Sequence, residues 1–203
     1  MERPDYIPAD YKRIKVVSSL SELFNTSFGG RDEVNAALLP RQITGDFNAL
    51  AQRLGKKYSA YSLEDLEKMK NLPDAENQAV QAICNDMREL QSQGMMTILN
   101  VVNREGYRMK EIHDFHADRE ARREFGRICC GYNDPVTEAV RNEDAILVDD
   151  IFYQMSERAE ILQFRSGDIW KHCTANDCGI PPYIHRAPAS DRTRLFLVAD
   201  FRS

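Results

Sequence analysis

The sequence predicts an α+β fold in which N-terminal helices pack on a C-terminal, jelly-roll-like β domain. In the first part of the chain, apolar residues recur at helical spacing. From Met95 onward, roughly eight short β-type runs occur within about 105 residues, separated by charged or turn-forming residues. Except at "ADREARREF" and after Pro135, the intervals are too short for the helices of a parallel α/β fold. We expect one domain over residues 1–203, with a helix-rich layer at 1–95 and a jelly-roll, metal-binding core at 96–203.

The helix-rich layer begins with two runs that could each form a strand, "IKVVSSL" and "VNAALL". Asp46 then opens a predicted short helix, "DFNALAQRLGKK". Ser62, with Asp65 three residues later, forms a capping-box arrangement at the start of "SLEDLEKMK". The layer should therefore contain short helices between short extended segments.

The clearest helix in the sequence is "PDAENQAVQAICNDMRELQSQG". Pro73 suits its first turn, and Gly94 suits its end. An apolar stripe at helical spacing runs along one face and consists of Val80, Ile83, Met87 and Leu90. The stripe lasts only about two heptads, which is short for a coiled coil, so it indicates a helix that lies on a core.

The predicted strands of the core follow one another closely. They are "TILNVV", "YRMKEIHDFH", "FGRICCGY", "AILVDD", "EILQFRSG", "DIWKH", "YIH" and "TRLFLVADF". Many short strands with turn residues between them are typical of a sandwich, a barrel or a jelly roll.

The composition excludes several functional classes. The net charge of −5 provides no general attraction to nucleic acid or to anionic membranes. No apolar run approaches the roughly 18 residues that span a bilayer, and "MERPDYIPADYKR" has no apolar signal core, so we expect a cytoplasmic protein. Five cysteines without regular spacing favour reduced thiols over a disulfide framework. We expect a small molecule or another unidentified substrate as the partner.

The histidines all fall in the predicted β half, and two of them suggest a metal site. His116 and Asp118 are separated by one residue, so on an extended strand their side chains point to the same face. His185 lies in the loop before the last predicted strand, and a jelly roll brings distant strands together. Two histidines and one carboxylate on one side of a metal form the facial triad of non-haem Fe(II) oxygenases, which leaves positions open for substrate and dioxygen.

Arg194 is a candidate partner for an organic acid bound to such a metal. If the cosubstrate is 2-oxoglutarate, the metal chelates its keto acid end and its far carboxylate needs a cation deeper in the barrel. The planar guanidinium of Arg makes two hydrogen bonds to a carboxylate and stays charged when partly buried. Arg194 starts the run "RLFLVADF" and shares a strand face with Phe196 and Val198, so it should point inward.

The segments "SGDIW", "YIHRAP" and "DRTRLFLV" resemble the closing part of the 2-oxoglutarate- and Fe(II)-dependent oxygenases of the double-stranded β-helix superfamily. There, a Gly-Asp turn and a strand precede the distal metal-binding His, and an Arg on the next strand binds 2-oxoglutarate. The segment "FHAD", which ends at Asp118, resembles their His-x-Asp motif. The resemblance implies a double-stranded β-helix, with Fe(II) bound by His116, Asp118 and His185 and 2-oxoglutarate bound by Arg194.

The chain is also similar to an uncharacterised bacterial family of comparable length. In that family "FHxD" is followed by "Y-x-x-P-x-T-E", matched here by "YNDPVTE" from Tyr132 to Glu138. The family closes with "HRxP" and an "RL" strand that ends in Asp, matched by His185–Pro188 and Arg194–Asp200. The match covers the second half of the chain well and the first 95 residues poorly. It departs from the pattern in the charged run "REARREF", and it offers no evident second ligand for 2-oxoglutarate.

Several of these residues have a plainer interpretation. Asp118 could cap a helix formed by "REARREF", and Arg186 or Arg192 could take the role given to Arg194. His113 and His172 are more often surface or hydrogen-bonded residues, although either could lie near the mouth of the site. With Cys173 and Cys178, His172 could instead bind zinc, although the spacing matches no strong zinc pattern. Residues expected to pack in the core are Cys129 or Cys130, Trp170 and Tyr183.

Three functions follow from these patterns. The leading hypothesis is an Fe(II)- and 2-oxoglutarate-dependent oxygenase that oxidises an unknown substrate. The second is a cupin-like metal-binding or sensing protein without turnover, which would bind metal but not 2-oxoglutarate. The third is a structural β domain with incidental histidines, which would bind no metal tightly.

Overall fold

The fold is α+β, with helices in the first half of the chain and most strands in the second. A computed structural model describes residues 3–55, 59–102, 113–119, 125–134, 136–174 and 179–201. The helices are α1 (Leu20–Asn25), α2 (Phe47–Leu54), α3 (Leu63–Glu67) and α4 (Asp74–Ser92). The strands are β1 (Ile14–Val16), β2 (Ala36–Leu39), β3 (Ser59–Tyr61), β4 (Met95–Val102), β5 (Phe115–His116), β6 (Arg127–Gly131), β7 (Glu138–Val140), β8 (Ala145–Asp149), β9 (Phe152–Met155), β10 (Ile161–Gln163), β11 (Ile169–His172), β12 (Ile184–Arg186) and β13 (Arg194–Phe201).

The strands form two sheets. One has seven strands in the order β1-β2-β11-β6-β13-β4-β3, and the other has six in the order β10-β7-β12-β5-β9-β8. All pairs of strands are antiparallel except β1 with β2. The pairing is nested along the chain, because β4 pairs with β13, β5 with β12, β6 with β11 and β7 with β10.

The seven-stranded sheet is covered on both faces. On β13, Leu195 and Leu197 belong to the cluster that contains the buried faces of α2 and α4. Phe196 and Val198 point the other way and pack against a second cluster. That cluster joins the two sheets, since it includes Leu38, Trp170, Ala139 and Leu162. Alternation along a strand thus sends one set of side chains to the helices and the other to the space between the sheets.

The predicted helices form where their capping residues indicate. The Asp46 side chain accepts a hydrogen bond from the Ala49 amide at the start of α2. Ser62 and Asp65 form a reciprocal capping box at the start of α3. Pro73 is the N-cap of α4, and the predicted apolar stripe of that helix is buried. Gly94 has φ +85°, a conformation that suits glycine after a helix end.

The N-terminal half contributes more strand than the sequence predicts. The runs "IKVVSSL" and "VNAALL" supply β1 and β2, which extend the seven-stranded sheet beyond β11. Strand β3, at the opposite edge, and helix α1 were not predicted from the sequence. The stretch after Pro135, where the sequence left room for a helix, forms β7 and a short 3-10 turn (Asn142–Asp144) instead. The predicted strand "AILVDD" follows as β8, and β9 was not predicted. Most of "YRMKEI" and "REARREF" lies outside the described residues. Among the described helices, none combines the length and the apolar character needed to cross a membrane.

Candidate metal centre

Two neighbouring strands of the six-stranded sheet bring two histidines together. Strands β5 and β12 pair antiparallel, and His116 and His185 are direct partners in that register. Their ring centroids lie 4.8 Å apart, and both residues are buried. Direct cross-strand partners project to the same face of a sheet, so the two imidazoles enter the space between the sheets side by side.

Asp118 completes the cluster. One of its carboxylate oxygens, Oδ1, lies 3.7 Å from Nε2 of His116 and 3.7 Å from Nε2 of His185. One donor atom from each of the three residues lies within 4.8 Å of the others. Two ligand atoms that each lie about 2.1 Å from one ion are at most about 4.2 Å apart, so both measured separations fit a shared ion. His116, Asp118 and His185 therefore form a cluster that could hold a metal ion.

Backbone carbonyls hold the two imidazoles in the orientation that metal binding requires. Nδ1 of His116 lies 2.8 Å from the carbonyl oxygen of Asp114, and Nδ1 of His185 lies 3.4 Å from that of Tyr183. With its hydrogen on Nδ1 directed to a carbonyl, each ring presents the lone pair of Nε2 to the cluster. The donor set is thus two imidazole nitrogens and one carboxylate oxygen, which suits iron among other divalent metals.

Burial and mutual contacts shift the pKa values of all three residues. Burial would raise the pKa of Asp118, but its interactions with His185, His116 and His172 hold it well below its usual value. Burial lowers the pKa of His185 to about 3. Burial also opposes protonation of His116, but its contacts with Asp118 and Asp114 raise its pKa overall. An ionised Asp118 and a neutral His185 are the forms that coordinate a cation.

The other oxygen of Asp118 is held by two residues of the seven-stranded sheet. Nη1 of Arg127 donates to Oδ2 at 2.9 Å, and Nε2 of His172 lies 3.0 Å from the same atom. Arg127 also pairs with Asp200 at 3.0 Å, so that strand-end Asp belongs to the same network. Of the two plain interpretations of His172, the hydrogen-bonded one is confirmed and the surface one is wrong, because the ring is fully buried and contacts a candidate ligand.

Arg194 lies in the same cavity as the cluster. A cavity of about 290 Å³ is lined by His116, Asp118, His185 and Arg194, with walls that include Thr137 and Phe196. Arg194 is 8% exposed, and its Nη2 lies 3.4 Å from Oγ1 of Thr137. The prediction that Arg194 points inward beside Phe196 and Val198 is confirmed, since all three line this cavity.

The two competing arginines lie elsewhere. Arg186 donates to Glu138 at 2.7 Å and stacks on the ring of Phe115, while Arg192 is exposed. Neither lines the cavity. Arg194 is therefore the one candidate of the three whose guanidinium can meet a ligand there.

Thr137 is a site residue that the sequence analysis missed, although it stands in "YNDPVTE". That segment places each of its three matched polar side chains against another part of the site or core. The hydroxyl of Tyr132 donates to Asp86, Thr137 contacts Arg194, and Glu138 accepts from Arg186. The signal was present as a motif, but the role of Thr137 depends on how β7 and β13 face each other.

The remaining candidates are placed as follows. Cys129 and Cys130 are both buried, on opposite faces of β6, and Trp170 and Tyr183 are core residues, as predicted. His113 lines a separate cavity with Ala189, Ser190 and Asp191. Cys178 and the capping target of Asp118 in "REARREF" fall outside the described residues, so the zinc and helix-cap alternatives stay untested.

Comparison with known proteins gives no further information about the centre. No protein-family model, no curated protein and no solved structure matches this chain.

Proposed function

We propose that this protein is an Fe(II)- and 2-oxoglutarate-dependent oxygenase with a double-stranded β-helix core. One observation carries the proposal: the two histidines, the carboxylate and a buried arginine line a single cavity. A metal-binding or sensing protein without turnover has no need of a guanidinium beside the ion. An oxygenase that chelates a dicarboxylate does, because the far carboxylate must be neutralised inside the protein.

The nested strand pairing supports the fold part of the proposal. A long antiparallel ribbon wound into two sheets pairs its first strand with its last, its second with its last but one, and so on inward. Strands β4–β7 and β10–β13 follow this rule without exception. The antiparallel pair β8 and β9 is then an insertion at the turn of the ribbon, on the β5 side of the six-stranded sheet.

The donor set supports iron as the metal. Two neutral imidazoles and one monoanionic carboxylate on one side of an ion leave further positions for a chelating acid and dioxygen. Iron bound there would supply the redox chemistry that couples decarboxylation of 2-oxoglutarate to oxidation of a substrate C–H bond. The protein's own part is to orient Nε2 of each histidine, keep Asp118 ionised and exclude water.

Arg194 and Thr137 are the proposed cosubstrate ligands. The guanidinium would donate to the far carboxylate of 2-oxoglutarate, with the hydroxyl of Thr137 as a second donor. Val102, Phe196 and Val198 supply apolar walls, which strengthen these charged contacts by excluding water. The volume of about 290 Å³ lies near the lower limit of ligand pockets, about 300–1,000 Å³, and suits a small acid.

The substrate would approach from the other side of the cluster. His116 and Asp118 also border a second cavity of about 160 Å³, which is lined by Arg119, Ile151 and Phe152. The candidate ligands thus separate an inner cavity with Arg194 from an outer one beside the β8 and β9 insertion.

Anaerobic titration tests the proposal. Metal-free protein receives Fe(II) and then 2-oxoglutarate, and a visible metal-to-ligand charge-transfer band is expected only when both are present. Binding of iron without any band on addition of 2-oxoglutarate would favour the metal-binding protein without turnover. Absence of tight iron binding would leave the histidines as structural residues.

A further inference from the structure

His172 approaches the His-Asp-His cluster from the opposite sheet. It lies on β11, where it is the direct cross-strand partner of Arg127 on β6. Both side chains therefore project to the same face, and both meet Oδ2 of Asp118, at 3.0 Å and 2.9 Å. The His172 ring also lies 5.0 Å from the ring of His185, centroid to centroid.

We propose that His172 is a positioning residue for the metal centre. Together with Arg127 it occupies Oδ2 of Asp118, so that the carboxylate can bind a metal ion only through Oδ1. This inference rests on the metal site of the proposed function, but it does not depend on which organic acid binds.

The chemistry of a carboxylate makes such a device useful. Each oxygen carries two lone pairs, and an unrestrained Asp can turn to bind one ion with both oxygens. Bidentate binding would take a coordination position that a chelating cosubstrate or dioxygen needs. Two donors from neighbouring strands hold Oδ2 away from His116 and His185, so that position stays open.

The surroundings of His172 fit a ring dedicated to this one contact. Arg127, itself paired with Asp200 at 3.0 Å, already supplies the positive charge beside Asp118. The contact with Asp118 then requires the hydrogen of His172 to lie on Nε2. Nδ1 of His172 is buried and has no hydrogen-bond partner among the described residues. The ring therefore has one polar contact in the described part of the chain, and that contact is the carboxylate.

The wild-type protein allows a direct test. In Zn(II)-loaded protein, two-bond ¹H–¹⁵N NMR of the imidazoles reports which nitrogen carries hydrogen and which binds metal. We expect His116 and His185 to carry hydrogen on Nδ1 and zinc on Nε2. His172 should carry hydrogen on Nε2 and bind no zinc. Zinc on either nitrogen of His172, or its hydrogen on Nδ1, would overturn the proposal.

Two variants separate positioning from packing. His172→Phe keeps a ring in the buried site but removes the donor, whereas His172→Gln keeps an N–H that can reach Asp118. Loss of an outer-shell partner costs about 10- to 100-fold in metal affinity, so we expect Co(II) affinity to fall by that factor in His172→Phe. His172→Gln should recover most of it. The ligand-field spectrum should change in His172→Phe alone, because the mode of carboxylate binding changes with coordination number.

Tyr11→Phe is the matched control. Tyr11 is buried and its hydroxyl donates to Asn142 at 3.2 Å, so the variant also removes a hydrogen bond of a buried ring, but Tyr11 does not line the cavity of the cluster. It should bind Co(II) like the wild type. Unchanged affinity in His172→Phe, or equal losses in the Phe and Gln variants with both folded, would refute positioning. If His172→Phe does not fold, the NMR experiment decides. Zinc binding without 2-oxoglutarate binding would contradict the oxygenase and leave these measurements intact; a wild type that binds no metal would contradict both.

Discussion

Two polar cavities of this protein differ in what their ionisable groups do. The larger, about 850 Å³, lies on the helix side of the seven-stranded sheet and is lined by Arg41, Tyr132 and Asp168 among others. The smaller, about 290 Å³, lies between the sheets and contains the His-Asp-His cluster. Volume alone would select the first as the functional site.

The groups of the larger cavity are paired with one another. Arg41 donates to Asp86 with two nitrogens, one of them at 2.6 Å, and the hydroxyl of Tyr132 donates to Asp86 at 2.6 Å. Asp168 accepts from the hydroxyl of Tyr6 at 2.6 Å and from the Arg41 amide. Buried polar groups that satisfy each other stabilise a fold and leave little for a ligand to bind.

The groups of the smaller cavity instead face a common point. Nε2 of His116 and Nε2 of His185 meet Oδ1 of Asp118 at 3.7 Å, longer than a hydrogen bond. The other nitrogen of each histidine lies beside a backbone carbonyl. The other oxygen of Asp118 is held by Arg127 and His172. A site is therefore located by donor atoms that the protein orients but does not pair, rather than by cavity size.

Loss of a candidate ligand should break the comparison most severely. We expect His116→Ala and His185→Ala each to abolish tight metal binding. This effect is larger than the loss of about 10- to 100-fold in metal affinity that follows removal of one outer-shell partner. The fold should persist, because the sheets keep their apolar core. Metal content after dialysis and thermal unfolding measure the two properties. If the variants lose stability but their remaining folded protein binds as much metal as the wild type, these histidines are structural.

The next largest effect should come from Arg194. Arg194→Ala should retain Fe(II) but lose 2-oxoglutarate affinity, because removing one partner of a buried ion pair costs about 3–5 kcal/mol. That corresponds to roughly two to three and a half decades in Kd. Arg194→Lys should recover only part, since an ammonium cannot reproduce the bidentate fork. Equilibrium binding of 2-oxoglutarate and succinate formation are the measurements.

Two other arginines control for charge in the Arg194 experiment. Arg192→Ala should behave as wild type because the side chain is exposed. Arg186→Ala should affect stability through the loss of Glu138 and Phe115 as partners, with little effect on 2-oxoglutarate. If Arg186→Ala loses the cosubstrate and Arg194→Ala does not, the wrong arginine has been assigned.

The larger cavity predicts the opposite pattern of effects. Asp86→Ala leaves Arg41 and Tyr132 without their shared partner, and we expect a loss of about 3 kcal/mol in the free energy of unfolding. Tyr132→Phe removes one hydrogen bond and should cost about 1 kcal/mol. Metal affinity should be unchanged in both variants. Denaturant unfolding and metal titration test this, and a large metal defect in either variant would mean that the two regions are coupled.

The sequence predicts the candidate ligands better than their surroundings. The two-residue repeat of an extended chain predicts that His116 and Asp118 share a face, and the two side chains do meet, although β5 ends at His116 and Asp118 follows the strand. Arg194 points inward for the same reason. The alignment of His116 with His185 depends instead on the register between β5 and β12, which no local pattern specifies.

Contacts between residues of the two sheets cannot be predicted from local sequence patterns. His172 lies opposite Arg127 because β11 pairs with β6 in the seven-stranded sheet. Asp118 follows β5 of the other sheet, so its contact with His172 depends on how the two sheets face each other. Thr137 meets Arg194 across the same space. The missed strands β7 and β9 have three and four residues, too few for a clear alternating pattern.

Lys171, beside His172 on β11, is another buried polar residue that local sequence patterns do not identify. Strand alternation places it on the helix side, where it is 2% exposed. Its ammonium donates to the carbonyls of Phe24 and Thr26, both at 2.9 Å, and lies 3.8 Å from the ring centroid of Phe125. Among the described residues, no carboxylate pairs with it. It is thus a third kind of buried polar group, satisfied by backbone carbonyls and an aromatic ring instead of a carboxylate.

Burial lowers the pKa of Lys171 to about 8, from an ordinary value of 10.5. Between these two pH values the unfolded chain holds more protons than the folded one, so the free energy of unfolding rises with pH. The rise amounts to at most about 3 kcal/mol, and Lys171→Met lacks it. Urea unfolding of both proteins is measured at pH 7, 8.5 and 10, and the difference between them at each pH cancels the contributions of the other titrating groups. The wild type should gain stability relative to the variant as the pH increases. A difference that stays constant over this range would mean that folding leaves the pKa of Lys171 unshifted.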